Sequence, residues 1–587
     1  MNEVRVWAPH AQTRIEAISP GGVRVGLSAA EGGWFSGTIP FDDYLLSIDG
    51  GEPRPDPRSG WQPSGIDGPT RVVDHDAFEW TDASWHGAPL SAAVIYELHI
   101  GTFTSAGTFD AAIARLDHLV SLGVTAVELM PVAEFSGDRG WGYDGVDLFA
   151  PHHGYGGPDG LKRLIDACHA RDLAVIIDVV YNHLGPAGNY LREFGPYFTN
   201  RYGTPWGEAI NFDDQGSTEV RRFVIDNALG WMENYHADGL RLDAIHAIYD
   251  MSAIHILEEL ASTKEELEAR LGRELWLIAE SDLNDPRIVR SREAGGYGID
   301  AQWSDDLHHA LHARLTGERT GYYGDFGTTA DVATALGNAF VYDGRYSSFR
   351  DRVHGRPITG LGGERFLGYL QTHDQVGNRA RGERTSALMT PDLLKVGAAL
   401  VLTSAFVPML FQGEEWGATT PFLYFTDHVD PELGRAVREG RRREFAGFGW
   451  APEDIPDPQD PATFERSKLD WSELDDPTHA DLLEWHRDLI RLRHALPDLS
   501  NCRMDDVKTR YDEDASWLVV ERSNVTIACN LTEAPVDVPL PAHLGEARMT
   551  SSKLPEVLAT GARMEPESVT IWVRAATDPV ARESEGG

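Results

Sequence analysis

Eight short apolar runs, each separated from the next by a helical or polar stretch, constrain the fold of this chain more than any other feature. They are VIYELHI (94–100), AVELMPV (126–132), AVIIDVVYNH (174–183), GLRLDAIH (239–246), LWLIAES (275–281), IDAQW (299–303), FLGYLQTHD (366–374) and VPMLFQGEE (407–415). Runs of this length rich in Val, Ile and Leu read as buried strands, and strands that alternate with helices imply parallel pairing. Between the first two, Phe109, Ile113, Leu116 and Val120 recur at helical spacing, with Thr108 placed to cap the helix and Gly123 to end it. Eight such units imply an α/β protein whose catalytic unit is a (β/α)8 TIM barrel, a fold that commonly takes ~250 residues or more with insertions. The region here is longer, so insertions are expected at 184–215, 304–365 and 416–475.

The flanks have a different texture. Residues 1–88 hold short alternating runs (VRVWAP, RIEAI, WFSGTI, YLLSI) broken by Gly, Pro and Asp, which predicts an N-terminal β-sandwich. The barrel takes 89–496. Residues 497–587 return to short alternation (SWLVVERS, NVTIACNL, SVTIWVR) and predict a C-terminal all-β domain, with the tail ARESEGG frayed.

Composition excludes several function classes. Fifty-two basic against 92 acidic residues give a formal charge of −40, which repels nucleic acid and anionic membrane. No apolar run approaches the roughly 20 residues that span a bilayer. The opening MNEVRVWAP lacks the pattern of a secretory signal. Three cysteines, Cys168, Cys502 and Cys529, are too few for a disulfide framework and match no metal spacing, so a reducing cytoplasm is the expected compartment.

Charges gather where the strands end. The third run closes on Asp178 and continues to Asn182 and His183; the fourth carries Arg241 and Asp243; the fifth ends on Glu280; the seventh ends on His373 and Asp374. In a β/α barrel those ends converge on one rim, where active sites are built. Each residue alone has a structural alternative: Asp178 as a loop anchor, Arg241 with Asp243 as a plain ion pair, Glu280 as a helix cap, either histidine as a satisfied rim group. Their shared position argues against all of these together, because gathering like charges costs several kcal/mol unless something offsets it. Two nearby carboxyls with different pKa values are what glycoside hydrolysis or transfer needs. Arg241, on the same face as Asp243, would hold Asp243 ionised for attack, and Glu280, after the apolar LWLIA, would keep its proton for the leaving oxygen. Trp141 and Tyr143, after the second run, could offer a stacking platform to a sugar ring, with Trp416, Phe422, Tyr424 and Phe425 closing another side of the cleft.

The motifs DVVYNH (178–183), GLRLDAIH (239–246), LIAES (277–281) and THDQVGN (372–378) resemble, in order and spacing, the four short regions of the α-amylase family of retaining glycoside hydrolases and transglycosidases. By that resemblance Asp243 is the nucleophile, Glu280 the acid/base and Asp374 the transition-state stabiliser. Tyr143, His183, Arg241 and His373 line the subsite of the attacked glucose, while Asp178 and Asn182 are structural. In calcium-dependent members that asparagine helps hold metal; no cluster of further ligands accompanies it here, so neither metal nor cofactor is expected. Several stretches, among them ELHIGTFTSAGTF (97–109) and LFQGEEWGATTPFLYFTDH (410–428), are most similar to trehalose-releasing members of the family. That similarity implies an oligosaccharide substrate, a malto-oligosaccharide capped by an α,α-1,1-linked glucose pair. The alternatives are a branching transferase, against which Gln375 speaks because such enzymes usually carry Glu there, and a non-catalytic glucan-binding protein.

Overall fold

In the computed structural model, which describes residues 1–446, 451, 455–542 and 544–575, all eight runs contribute strands to one closed barrel. The strands are Ile95–Leu98, Ala126–Leu129, Ala174–Val179, Gly239–Leu242, Trp276–Ala279, Ala301–Trp303, Phe366–Gly368 and Val407–Phe411. Each pairs in parallel with the next in the chain, and the eighth closes on the first through Met409 opposite Ile95. Sequence order and spatial order are the same, as in a β/α barrel.

Period-two alternation divides each strand between two cores. Ile95, Ala126, Ile176, Ile278, Leu367, Val407 and Met409 fill the barrel interior. Their chain neighbours Tyr96, Val127, Ile177, Leu240, Leu277 and Phe366 pack outward in the core shared with the helices. The inward set continues in phase to Glu97, Glu128, Asp178 and Arg241, and just past the fifth strand to Glu280. A large apolar side chain gains about 1.5–3 kcal/mol on burial, so the apolar layers carry stability and the charged residues gather at the strand ends.

One expected helix departs from its pattern. Residues 109–122 form two helices, Phe109–Ile113 and Leu116–Leu122, because the chain tightens into a turn where Arg115 N–H bonds Ala112 O. There the Arg115 guanidinium lies 4.2 Å over the Trp471 ring. Thr108 Oγ1 does cap the first helix through Ala111 N–H, and Gly123 ends the second at φ 96°. Phe109 and Leu116 are buried, but Val120 is 44% exposed. The first insertion forms a hairpin, Phe198–Thr204 with Gly207–Ile210. The second includes the helices Asp305–Thr316 and Thr329–Asn338 and the hairpin Asp343–Ser347 with Arg352–Gly355.

Ahead of the barrel lie six antiparallel strands, Asn2–Trp7, Ile15–Ile18, Arg24–Ala29, Trp34–Ile39, Asp43–Ile48 and Thr70–Arg71. Arg24–Ala29 joins the two halves, pairing first with Ile15–Ile18 and then with Trp34–Ile39. After the barrel, a five-stranded and a three-stranded antiparallel sheet enclose Val519, Ala528, Val538, Ala562, Met564 and Trp572. The tail ARESEGG, expected to be frayed, lies outside the described residues.

The C-terminal sheets are tied to the barrel by Arg522. Its buried guanidinium donates from Nη1 to the carbonyls of Thr403 (2.9 Å), Ser404 (2.7 Å) and Leu499 (3.0 Å), and Arg493 reaches Leu402, Ser404 and Phe406 beside it. Arg522→Ala strands those carbonyls, at a cost on the order of 3 kcal/mol. The expected outcome, checked by scanning calorimetry, is a thermal midpoint lowered by several degrees with catalytic rate at 25 °C retained.

Candidate active site

At the strand ends one guanidinium is shared by three carboxyls. Arg241 is fully buried; Nη1 donates to Asp178 Oδ2 and Asp243 Oδ1, and Nη2 to Glu280 Oε2, each at 2.8 Å. Trp303, inward-facing on the sixth strand, lies under it with the guanidinium carbon 4.4 Å from the ring centroid. The fourth strand stops at Leu242, and Ala244 adopts a left-handed conformation (φ 38°, ψ 51°), one that costs a non-glycine residue about 1–3 kcal/mol. That turn aims Ala244 N–H at Glu280 Oε2, 2.7 Å away. Both bonds to Glu280 fall on Oε2, which leaves Oε1 to carry a proton.

Of the three carboxyls on Arg241, Asp243 and Glu280 titrate in opposite directions. Burial pushes Asp243 up, but Arg241, His183 and the Asn182 amide outweigh it and hold the carboxyl below the usual range. Asn182 Nδ2 donates both to Asp243 Oδ2 (2.7 Å) and to its carbonyl (2.8 Å), which fixes the side chain. Glu280 goes well above the usual range: burial dominates, Arg241 opposes it, and Asp243, Asp374 and Asp305 add repulsion. Asp178 is raised to about 6, by burial first, with Arg241 opposing.

A second cation faces the same space. His373 bonds Glu97 twice, through its backbone N–H to Oε2 (3.0 Å) and through Nδ1 to Oε1. Its Nε2 is 2.7 Å from Tyr143 Oη, and the Tyr143 hydroxyl donates to Asp178 Oδ2, also at 2.7 Å. Burial lowers His373, but Glu97 and Asp374 outweigh it and raise the imidazole to about 9. Asp374 stands apart and partly exposed, with Oδ1 3.6 Å from His373 Nε2 and 3.2 Å from Asn378 Nδ2.

The expected residues therefore divide. Asp178, Arg241, Asp243, Glu280, Tyr143 and His373 form one bonded network, with Asp374 at its edge and His183 against it through Asn182. Trp141 does not offer the expected open face: its indole is buried against Phe422 and Tyr424, donates to Leu423 O (2.9 Å) and meets His373 edge-on. Trp416, Phe422 and Phe425 are likewise buried, and only Tyr424 keeps partial exposure. A half-exposed aromatic beside the site is Trp206, at the tip of the first inserted hairpin, stacked on His183 with centroids 4.3 Å apart and planes at 5°.

Sequence reasoning passed over Trp206, Glu97, Trp303 and Asp305. Glu97 carried a signal, a charge in the inward phase of an apolar run, and so did Glu128 opposite it on the second strand. Glu128 is buried with neither oxygen hydrogen-bonded, and burial and Glu97 raise it well above the carboxylate range. Asp305, after the sixth strand, is pushed up to about 7 by burial and accepts a bond from Tyr369.

Comparison with known proteins gives the chain its relatives. Residues 71–202 match the family described as Alpha amylase, catalytic domain, and 502–571 match a Domain of unknown function (DUF3459). A relative from Arthrobacter ramosus named malto-oligosyltrehalose trehalohydrolase is 51% identical over 91% of this chain and 93% of its own. A 1,4-alpha-glucan branching enzyme of Pseudoalteromonas atlantica is 31% identical over only 41% of this chain and 38% of its own. A Salmonella typhimurium structure solved under the alpha amylase name superposes with TM-score 0.89 at 38% identity, covering 98% of this chain and 97% of that one.

The His373–Glu97 pair links stability to pH. A histidine at about 9 when folded and near 6.5 unfolded contributes on the order of 3 kcal/mol. That contribution is complete below pH ~6.5 and is lost as pH rises through about 9. In Glu97→Gln the dependence should weaken, Asp374 alone remaining to raise His373: thermal midpoints measured between pH 6.5 and 9 should fall less with pH than those of the parent.

Proposed function

The chain belongs to the malto-oligosyltrehalose trehalohydrolase family, and from that premise we propose how its site performs the family's reaction. The enzyme hydrolyses the α-1,4-glucosidic bond next to the terminal α,α-1,1-linked glucose pair of a maltooligosyltrehalose, releasing trehalose by a retaining double displacement. Asp243 attacks the anomeric carbon while Glu280 gives its proton to the departing trehalose oxygen, forming a covalent glucosyl-enzyme. Glu280, now a base, takes a proton from water as that water attacks the same carbon, which frees the shortened oligosaccharide with its configuration retained and restores both carboxyls. The observation that carries this assignment is the single guanidinium shared by two carboxyls whose pKa values move apart.

The remaining roles follow from position. Arg241, His373 and Tyr143 bound the pocket of the attacked glucose and His183 abuts it, with Asp178 bracing Arg241 and Tyr143. Asp374 stabilises the positive charge that develops on the sugar. Trp141 backs His373, and Trp206 supplies the exposed stacking face. We place the functional units at 1–88, 89–496 and 497–587. No helix among the described residues is long and apolar enough to cross a membrane, and three buried free cysteines fit a reducing cytoplasm.

Chromatography of the products from maltopentaosyl-trehalose and from plain maltoheptaose tests the substrate assignment. Rapid trehalose release from the first with little attack on the second is the expected result; equal cleavage of both, or new α-1,6 linkages, would overturn it. Asp243→Ala and Glu280→Gln should each lower kcat by ~10²–10⁴ or more with circular dichroism unchanged. Trp206→Ala should raise KM about tenfold, equivalent to ~1.4 kcal/mol of lost stacking, with the pH profile unmoved.

A further inference from the structure

We propose that Glu134, His152 and His153 form a binding site for one divalent transition-metal ion of the zinc class, at the base of the loop that carries Trp141 and Tyr143. Neither the family reaction nor the metal-free expectation from the sequence includes such a site. Its donors are Glu134 Oε1 and one ring nitrogen from each histidine, all within 4.8 Å of one another.

Backbone pairing pre-positions these donors. Ala133–Glu134 pairs antiparallel with Asp147–Pro151, His152 N–H donates to Val132 O (2.7 Å), and Tyr155 N–H donates to His152 O (3.1 Å). The Glu134 carboxylate is fully buried; Oε2 accepts His153 N–H (2.8 Å) and Oε1 faces His153 Nδ1 at 2.7 Å. A Glu134–His153 pair would be complete in itself. It leaves His152 unexplained.

His152 is fully buried, its ring stacked on Phe135 with centroids 3.9 Å apart, and neither ring nitrogen has a hydrogen bond. Nδ1 lies 3.3 Å from Glu134 Oε1 without the alignment of one. An imidazole always carries at least one N–H, and leaving such a group unpaired in the interior costs about 1–3 kcal/mol. A cation held between His152 Nδ1 and Glu134 Oε1 would engage the Nδ1 lone pair, with the ring's N–H then on Nε2. Ligands bound to zinc at about 2.0–2.1 Å in a tetrahedron stand roughly 3.3 Å apart, the separation already present between these two atoms. His153 would swing outward by about 0.6 Å to match.

A third feature points the same way. His153 Nε2, on the side of the ring away from Glu134, is 3.3 Å from Asp138 Oδ1. A carboxylate behind the far nitrogen of a ligating histidine is the usual outer support of such sites. The His153 side chain is 25% exposed, which opens that side of the otherwise buried cluster to solvent. Two imidazoles and one carboxylate suit zinc, cobalt or nickel and do not suit magnesium or calcium, which prefer all-oxygen shells. The ion would clasp both ends of the 135–151 excursion, whose far side is held by Asp427 through Asp138 N–H (3.0 Å) and Arg139 (2.6 Å).

Equilibrium dialysis of the chelator-treated full chain against zinc ion alone, with elemental analysis, tests the proposal. We expect one ion per chain with Kd below about 1 µM, weakened at least ~100-fold in His153→Ala and ~10-fold in Asp138→Asn. Cobalt(II) substituted at the site should give the intense visible absorption of a tetrahedral centre, lost in His153→Ala. If that variant is unfolded by circular dichroism, Glu134→Gln takes its place. Failure of the parent to bind zinc stoichiometrically, or binding unchanged in the substituted chain, would overturn the proposal.

Discussion

The buried guanidinium of Arg241 is the interaction on which the rest of the site depends. Four ionisable groups, Asp178, Asp243, Glu280 and Tyr143, lie within reach of it. Without a cation among them, burial would drive every carboxyl toward its neutral form, and no nucleophile would remain. Arg241 cannot give up its charge, and Trp303 beneath it supplies a ring face that stabilises a cation without taking a hydrogen-bonding position. One side chain thus both orients the carboxyls and separates their protonation states. Asp243 also receives the Asn182 amide and the field of His183; Glu280 receives Arg241 against a larger burial cost and the repulsion of three aspartates.

This concentration of charge is tolerable because of where it stands. Inward positions lower in the barrel are apolar, Ile, Ala, Val, Leu, Met and Trp, and only the last inward residue of a strand, or the one just beyond it, is ionisable. The same division explains the His373–Glu97 pair, which supplies a second positive charge from the opposite wall. Tyr143 joins the two cations' networks, since its hydroxyl sits between His373 and Asp178.

The strands, three to six residues each, were legible because their signal is local: a short apolar run needs nothing from elsewhere in the chain to be recognised. The phase of each run also put Arg241 on the inward face, although Asp243 proved to lie just beyond the strand. Glu97 was missed because its meaning is wholly tertiary; its partner His373 is 276 residues away, and only ring closure brings the first and seventh strands' side chains together. The aromatics misled for a related reason. Trp141, Trp416, Phe422 and Phe425 are large enough either to stack on a ligand or to fill a gap between loops, and composition cannot separate the two, whereas Trp206 is exposed only because a hairpin lifts it over His183. The break at Arg115 was hidden too, since a periodic apolar pattern survives a turn that keeps both halves facing the same core.

The central claim is that Arg241 holds Asp243 ionised while Glu280 stays protonated. Its most direct test is the pH dependence of kcat/KM on a trehalose-capped malto-oligosaccharide, for the parent and for Arg241→Met with its fold verified by circular dichroism. The acidic limb reports ionisation of the nucleophile in the free enzyme. It should move upward by a unit or more when the guanidinium is removed, as residual activity falls. An acidic limb that stays in place would contradict the account, because Asp243 would then owe its charge to something other than Arg241.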